Sequence, residues 1–175
     1  MHDEVQSAIR AARRSDLHAL TDLRLQFLGE AAHADARLRL MPDARQRTEQ
    51  ALPVWMGQAD RVVVVALDPV LAAEGGPGAE DAPPVGYAMG LLGNVPPVLL
   101  AQHVGEILEV HVDPAHRGRG LGDALVDVVS RALVGRGAQV LRAAVPAANV
   151  DARARLERAG YGALQFELER NLDAG

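Results

Sequence analysis

The chain has 175 residues and a mass of 18.6 kDa, with 49% hydrophobic and 23% charged residues, which suits one folded domain with a sizeable core rather than a disordered chain. All 18 basic residues are arginine, 23 residues are acidic and the net charge is -5, which argues against a general nucleic-acid or anionic-membrane binder. The chain has no cysteine, which excludes disulfides, thiolate metal sites and a cysteine nucleophile.

The first residues carry no targeting pattern. The segment Met1-His2-Asp3-Glu4 is acidic and lacks the apolar stretch of a signal peptide. No run approaches the roughly 18 apolar residues of a membrane span, and the six histidines show no ligand-like spacing with carboxylates. We therefore expect a cytoplasmic protein without a metal site, folded as a single domain over residues 1–175.

The first half of the chain predicts two strands separated by two helices. Ser15-Asp16 has the pattern of a helix cap, Gly29 that of a helix stop, and Pro53 that of a break or a kink. Residues 61–67 form the clearest strand, because they are β-branched and bounded by Asp68-Pro69. The predicted elements are a strand over 6–12, a helix over about 15–28, a helix from Pro42 toward Leu52, and a strand over 61–67.

The second half predicts strands that alternate with two helices. Residues 71–84 lack periodicity and are rich in Gly, Pro, Ala and acidic residues, so we expect a mobile loop. Gly86 and Gly90 indicate a bulge or a close approach in the strand that follows. The predicted elements are strands over 85–92, 106–112, 138–145 and about 163–169, with an amphipathic helix over 121–135 and a further helix over 149–160.

The strand over 106–112 runs into a glycine-rich turn and then directly into the amphipathic helix. Glycines allow backbone N–H groups to approach a ligand closely. The first turn of a helix adds unpaired N–H donors and the positive end of the helix dipole, and Arg117 and Arg119 add charge. The pattern predicts a site for a phosphate or pyrophosphate group.

Two nucleotide-binding fingerprints fail at this turn. A P-loop requires a lysine, and the chain has none. A dinucleotide fingerprint requires three glycines; Gly118 and Gly120 fit its first two positions, but the third falls on Asp123. A nucleotide-binding domain of another class is therefore the weakest interpretation.

The pattern that does fit is R-x-x-G-x-G at Arg117, Gly120 and Gly122, after a V-x-P at residues 112–114. It resembles the acetyl-CoA-binding motif of the GNAT (Gcn5-related N-acetyltransferase) superfamily, and Asn149, Ala152, Gly160 and Tyr161 match that family's downstream N-x-x-A … G-[FY] segment. The resemblance implies a mixed α/β (α+β) fold. Its central sheet would be mostly antiparallel, with about six strands and about four helices, and the cofactor would lie at a splay between the fourth and fifth strands.

The resemblance also implies acetyl-CoA as co-substrate. The backbone of Val110, His111 and Val112 would pair with the pantetheine arm, and Asn149 would lie beside it. A backbone N–H of the same strand would stabilise the oxyanion formed at the thioester carbonyl. Arg117 and the backbone N–H groups of the turn would hold the pyrophosphate; the turn residues are Gly118, Arg119, Gly120, Leu121, Gly122 and Asp123.

An amine nucleophile must lose a proton, so a general base is expected. Strict alternation along the cofactor strand places Ile107, Glu109 and His111 on one face and Leu108, Val110 and Val112 on the other. Glu109 and His111 are therefore the candidate bases. The same parity places Glu106 on the opposite face, and His103 in the preceding loop is a remote alternative.

Two positions depart from patterns found in the family. The tyrosine that often protonates the leaving thiolate is replaced by Leu156, for which Tyr87 and Tyr161 are substitute candidates. A glutamate typical of members that acetylate protein N-termini is replaced by Ala144. These departures favour a small-molecule amine as acceptor, and they also keep open a non-catalytic acyl-CoA-binding or regulatory module of the same fold.

The acceptor region, residues 27–55 and 94–103 by resemblance, carries conflicting charge. Glu30 and Asp35 would attract a cationic amine, whereas four arginines on the same segment would favour an acidic partner: Arg37, Arg39, Arg45 and Arg47. The acceptor is therefore not readable beyond a small-molecule amine. No nucleic-acid or membrane partner is expected, and the resemblance allows a homodimer.

Overall fold

The structure is a computed structural model, and it describes residues 8–34, 38–68, 70, 72, 82–94, 103–146 and 149–164. The chain forms two compact units, which comprise residues 1–144 and residues 145–175. The first contains β1 (Ile9–Ala11), α1 (Leu17–Ala34), α2 (Ala44–Met56), β2 (Arg61–Ala66), β3 (Gly86–Asn94), β4 (His103–Val112), α3 (Leu121–Gly135) and β5 (Val140–Ala143). The second contains α4 (Val150–Arg158). Short 3-10 turns cover Arg14–Asp16 and Pro114–His116.

One five-stranded sheet with the order β1-β2-β3-β4-β5 organises the first unit. The first four strands pair antiparallel in chain order, and β5 pairs parallel to β4. This confirms the predicted mixed, mostly antiparallel sheet. The predicted sixth strand over about 163–169 lies mostly outside the described residues, and the described residues Ala163 and Leu164 are not in a strand.

A β-bulge interrupts β4 at Leu108. Met89 pairs with Glu109 but Gly90 pairs with Ile107, so Leu108 has no partner on β3. A bulge adds one residue to one strand and inverts the side-chain alternation beyond it. The predicted faces are therefore wrong before the bulge: Ile107 shares a face with Val110 and Val112, and Glu106 shares the face of Glu109 and His111.

Helix α3 covers one face of the sheet. A side-chain Cβ at Gly90 would lie 3.0 Å from both Leu133 Cδ1 and Val129 Cγ2, and one at Gly105 would lie 3.0 Å from Leu133 Cβ. The two glycines thus allow α3 to pack closely on the strands, as Gly90 led us to expect. The fully buried stripe on α3 comprises Leu121, Ala124, Leu125, Val129 and Leu133.

Helices α1 and α2 cover the opposite face. Their side chains pack on alternate residues of β2 and β3, because successive residues of a strand point to opposite faces. The buried cluster comprises Leu20, Leu23, Leu52, Val63, Val65, Tyr87 and Met89. The polar side chains of β4 that face this layer therefore meet α1.

Two predicted helix ends are wrong. Helix α1 continues through Gly29 to Ala34, because the residues after Gly29 are good helix formers and a lone glycine only weakens a helix. Helix α2 begins at Ala44 and continues past Pro53 to Met56. Pro53 lies in the last turn, so its missing N–H removes a single helical hydrogen bond. Most of the predicted loop over 71–84 lies outside the described residues.

Candidate active site

Among the described residues, no strand pairs with the outer edge of β4 beyond Ile107. Parallel pairing with β5 runs from Val104 to Ile107 and ends there, whereas β4 itself continues to Val112. In an antiparallel pair with β3, alternate residues of β4 direct their N–H and C=O groups toward this free edge. The part of β4 that continues past the end of β5 lies where the cofactor splay was predicted, and its edge suits an extended ligand that pairs with the backbone.

The glycine turn continues from this edge. Gly118 and Gly120 have φ of +79° and +80°, a left-handed conformation that costs other L-residues about 1–2 kcal/mol. A Cβ at either glycine would meet no atom within 4 Å. The glycines are therefore required by conformation and not by packing within the protein, and the space around them is open to a ligand.

Helix α3 begins directly after this turn and presents unpaired donors. Its N-cap is Gly120, which has no side chain to cap the helix, and the first helical hydrogen bond is from Ala124 N to the Gly120 oxygen at 3.0 Å. The N–H groups of Leu121, Gly122 and Asp123 therefore have no acceptor within the helix. Together with the helix dipole they form a cradle for an anion.

The two arginines of the turn differ in what they contact. Arg117 is turned back toward the protein: its Nε donates to the Val112 oxygen at 2.8 Å, and its Nη2 donates to both carboxylate oxygens of Glu30 at 2.7 and 2.8 Å. Arg119 is exposed and has no recorded side-chain partner within the part of the chain that the structure describes. Arg119 is thus the side chain that is available to a bound pyrophosphate.

The Glu109 carboxylate is fully engaged. Arg24 on α1 donates its Nε to Oε1 and Oε2 at 3.2 and 3.1 Å and its Nη2 to Oε1 at 2.9 Å, and the Tyr87 hydroxyl donates to Oε2 at 2.8 Å. These four contacts use the roughly four acceptor positions of a carboxylate. The side chain is only 14% exposed. The role of Glu109 as a base stays a prediction, but this geometry gives its carboxylate a structural role between Arg24 and Tyr87.

His111 is buried against α1. Its side chain is 3% exposed, and its Nε2 lies 3.0 Å from Oε1 of Gln26. With Gln26 in this orientation the amide oxygen accepts, so Nε2 carries the proton and Nδ1 keeps its lone pair. Burial lowers the pKa of His111 below its usual value of 6.5; Arg117 acts in the same direction, and Glu30 and Asp113 oppose it. The imidazole is therefore neutral at neutral pH.

Glu106 joins the site because of the bulge. It is half-buried on the same face as Glu109, and its side chain has no recorded hydrogen bond or ion pair among the described residues. Strand parity excluded this residue, and a bulge at Leu108 leaves no mark in the sequence of alternating apolar and polar residues. Among the three polar groups on this face, Glu106 has the carboxylate oxygens that are open to a substrate.

Two residues of α1 hold this face of β4 and were missed from the sequence: Arg24 and Gln26. Glu30, which the sequence suggested only as an attraction for the acceptor amine, instead binds Arg117. The sequence does contain a signal for Arg24. Arg24 follows Leu20 by four residues and precedes Phe27 by three, so a charged side chain interrupts the apolar stripe of the helix. A charge placed on such a stripe calls for a buried partner of opposite sign, but its identity, 85 residues away, depends on the tertiary fold.

The substitute candidates for the thiolate acid are placed as follows. Tyr87 is buried, and burial, followed by the charge of Glu109, raises its pKa well above the usual value of 10. A phenol that already donates to Glu109 is a poor proton donor to a thiolate. In the second unit, Asn149 caps α4 by accepting from Ala152 N at 3.1 Å, Leu156 is half-buried, and Tyr161 follows the left-handed Gly160.

The charged residues of the predicted acceptor region are largely paired. Arg45 contacts Asp22 at 2.5 Å, Arg47 contacts Asp43 at 2.9 Å, and Glu30 binds Arg117. Asp35, Arg37 and residues 95–102 lie outside the described residues. His103 lies 2.8 Å from the Asn94 side-chain oxygen through its Nδ1 and is exposed. The charge conflict seen in the sequence is thus reduced, since Glu30, Arg45 and Arg47 each have a partner of opposite charge.

The described residues contain no cluster of three or more His, Asp or Glu residues arranged to hold a metal ion. None of the helices within the described ranges is long and apolar enough to cross a membrane.

Comparison with known proteins identifies a sequence family and a fold. The profile of the acetyltransferase (GNAT) family matches residues 30–161. No curated protein sequence matches the chain. Among solved structures, a transcriptional regulator from Bacillus halodurans superposes with a TM-score of 0.69 at 19% identity, covering 94% of this chain and 98% of its own.

Two aminoglycoside acetyltransferases share the same fold at lower identity. An aminoglycoside N-acetyltransferase in complex with CoA superposes with a TM-score of 0.68 at 14% identity, over 95% of this chain and 94% of its own. An aminoglycoside 6'-N-acetyltransferase from Acinetobacter haemolyticus gives 0.67 at 14% identity, over 95% and 99%. At these identities the likeness is one of fold.

Proposed function

Because the chain belongs to the GNAT family of acetyltransferases, we propose that it is an acetyl-CoA-dependent N-acetyltransferase that moves an acetyl group directly to a primary amine of a small molecule. The observation that carries the proposal is the continuity of two features. The free edge of β4 beyond Ile107 leads into a glycine turn whose N–H groups form an anion cradle. An acyl thioester with a pyrophosphate at its far end has the shape and charge to occupy both.

The cradle suits the pyrophosphate of CoA. The open space at Gly118 and Gly120 allows phosphate oxygens to approach the backbone, and the first-turn N–H groups of α3 point toward them. Arg119 supplies a positive charge at the same place. The local charge therefore favours an anion, although the whole chain has a net charge of -5.

The chemistry is a direct transfer. The lone pair of the neutral amine attacks the thioester carbon, a C–N bond forms, and the C–S bond breaks to release the CoA thiolate. The ammonium proton passes to a base, and the thiolate takes a proton from water. A backbone N–H on the free edge of β4 would stabilise the oxyanion of the tetrahedral intermediate. The absence of cysteine excludes a cysteinyl acyl intermediate.

The base is assigned among the three polar side chains on the α1 face of β4. Glu109 has no free acceptor position, and His111 is almost completely buried. Glu106 is half-buried and has no recorded partner in the part of the chain that the structure describes, so we assign it the role of proton acceptor, with His111 as the second candidate. General-base catalysis of this kind contributes typically about 10²–10⁴-fold to the rate.

A second function has specific support. The engaged carboxylate of Glu109, together with Leu156 and Ala144 at positions where family members carry Tyr or Glu, also fits an acyl-CoA-binding module without catalysis. Such a module would bind CoA as tightly as the enzyme but would release no thiol with any amine. Substitution of Glu106, Glu109 or His111 would then leave its function unchanged.

The test is acetyl-CoA turnover with a panel of small amines, followed through the released thiol. The proposal predicts release that depends on both substrates and falls when Glu106 is replaced by Gln. Thermal shifts with acetyl-CoA, ATP and NAD identify the ligand class, since only a ligand that binds the folded state raises Tm. Absence of CoA binding at millimolar concentration contradicts both functions, and CoA binding without turnover favours the module.

Two further parts of the proposal concern location and assembly. We place the protein in the cytoplasm, with which a cysteine-free chain is compatible. We also propose that it forms a homodimer, as the sequence resemblance allows. Cell fractionation tests the first, and light scattering at several protein concentrations tests the second.

A further inference from the structure

The contact between Arg117 and Glu30 joins the cofactor turn to α1. Arg117 Nη2 lies 2.7 and 2.8 Å from the two oxygens of Glu30, 87 residues earlier in the chain, and Arg117 Nε lies 2.8 Å from the oxygen of Val112 at the end of β4. The Arg117 guanidinium thus links Val112, the last residue of β4, to Glu30 on α1. We call Val112, Arg117 and Glu30 the clasp.

The turn has few other restraints. Gly118 and Gly120 lack side chains, the segment from Arg117 to Gly120 is exposed, and no atom lies within 4 Å of where either glycine's Cβ would be. Glycine also loses more backbone entropy on ordering than any other residue. The turn is fixed at its far end by Leu121, which is 2% exposed in the core. Before the turn, His116 Nε2 lies 3.3 Å from Asp68 Oδ2. Within the turn itself, from Arg117 to Gly120, the side chain with recorded contacts to the rest of the protein is that of Arg117.

We propose that Glu30 is a positioning residue for the cofactor: it holds Arg117 on the end of β4 and thereby keeps the anion cradle in its binding conformation. This inference rests on the proposed function, since it assigns a role within the acetyl-CoA site. It makes Arg117 a support of the turn, and it leaves Arg119 and the backbone N–H groups as the contacts of the pyrophosphate. Glu30 itself then contacts neither substrate.

Removal of the Glu30 charge should change CoA affinity in opposite directions if Arg117 supports the turn and if Arg117 binds the pyrophosphate itself. If Arg117 instead leaves Glu30 to bind the pyrophosphate, Glu30 competes with the cofactor, and removal of its charge strengthens CoA binding. Simple electrostatics also favours tighter binding once a carboxylate near a bound anion is removed. The clasp predicts the opposite result, because a disordered turn must be ordered again each time the cofactor binds.

The test compares Glu30→Gln with a matched control on the same helix. Asp22 pairs with Arg45, and both members of that pair are about as exposed as Glu30 and Arg117. Asp22→Asn therefore removes the same charge from α1 and a similar ion pair without touching the turn. The CoA dissociation constant is measured by calorimetry, and the KM for acetyl-CoA, the KM for the amine and kcat are measured by thiol release.

Glu30→Gln should weaken CoA binding by about threefold to fivefold, the size of one half-exposed ion pair. The KM for acetyl-CoA should rise by the same factor. Arg117→Gln should give a similar loss, and the double variant should be no worse than the poorer single one. Asp22→Asn should change none of these values. Tighter CoA binding by Glu30→Gln, or equal effects of Glu30→Gln and Asp22→Asn, overturns the proposal.

A second measurement separates the clasp from the proposed function. Amide hydrogen exchange of the ligand-free protein should show faster exchange at residues 117–123 in Glu30→Gln than in wild type or Asp22→Asn. If wild type binds no CoA but the exchange still increases, the proposed function fails and the clasp stands. If exchange at these residues is unchanged, the clasp is wrong whether or not CoA binds.

Discussion

Glu109 on β4 and Arg24 on α1, 85 residues apart in the chain, form an ion pair with an Nη2–Oε1 distance of 2.9 Å, and Tyr87 donates to the same carboxylate. The pair lies between the sheet and α1, with its members 14% and 24% exposed. It connects the layer of helices to the strand that carries the proposed cofactor edge. Its main consequence is for stability.

Replacing Arg24 by Met should destabilise the protein by about 2–3 kcal/mol, because it leaves a mostly buried carboxylate without its counter-ion. Tyr87→Phe should cost about 1 kcal/mol, the net value of one hydrogen bond. Urea denaturation followed by circular dichroism measures both. The control is Arg47→Met, which breaks the exposed pair with Asp43 and should leave the stability unchanged within the error of the measurement, because solvent screens an exposed pair. Equal losses of stability in Arg24→Met and Arg47→Met would show that the Arg24–Glu109 pair stabilises the protein no more than an exposed pair does.

The bulge at Leu108 predicts which glutamate of β4 takes part in catalysis. Glu106→Gln should lower kcat by about 10²-fold with little change in stability, because the carboxylate has no recorded partner among the described residues. Glu109→Gln should mainly lower stability, because Arg24 and Tyr87 would stay at this site without the carboxylate that accepts their hydrogen bonds. A 10²-fold loss of kcat in Glu109→Gln at intact stability would instead return the base role to Glu109.

Buried His111 predicts a dependence of stability on pH. Its pKa in the folded protein is lowered by burial, so the unfolded chain binds more protons than the folded one below the usual value of 6.5. Stability should therefore rise with pH up to about 6.5 and fall as the pH drops below it. The pKa of Asp113 is lowered by the Ala115 N–H below 3.8, so that group titrates outside this window. His111→Gln should flatten the slope of the free energy of unfolding between about pH 5 and 7; an unchanged slope would assign the dependence to other groups.

The left-handed turn predicts different effects for two glycines in open space. Gly120→Ala should cost about 1–2 kcal/mol of stability, because φ is +80°. Gly29→Ala is the control: it lies within α1, also with no atom within 4 Å of a Cβ, and should stabilise the protein by about 0.5–1 kcal/mol. Thermal unfolding measures both. Similar changes in Tm for the two variants would contradict the strained conformation at Gly120.

The sequence predicts the first unit well where periodicity and turn chemistry decide the structure. The run of valines in β2, the apolar stripe of α3, and the glycine turn with Arg117 and Gly120 all follow from local pattern. The helix ends at Gly29 and Pro53 were wrong, because a single glycine or a proline in the last turn lowers helix stability without ending the helix.

The interior of the candidate site was less predictable, because it depends on tertiary contacts. The bulge at Leu108 changes the face of Glu106, and the pairing of Glu109 with Arg24 joins residues 85 positions apart. Neither follows from spacing along one strand or one helix. The polar residue Arg24 on the apolar stripe of α1 shows that a buried partner exists, but the partner's identity depends on the fold.

We propose that the free edge of β4 and the glycine turn together hold acetyl-CoA. Calorimetric titration of acetyl-CoA into wild type, Gly120→Ala and Gly29→Ala tests this binding site. We expect saturable one-to-one binding to wild type and to Gly29→Ala. We expect binding at least tenfold weaker, a difference of about 1.4 kcal/mol or more, to a Gly120→Ala variant that remains folded. Binding that is absent in wild type, or equal in folded Gly120→Ala, would contradict the claim.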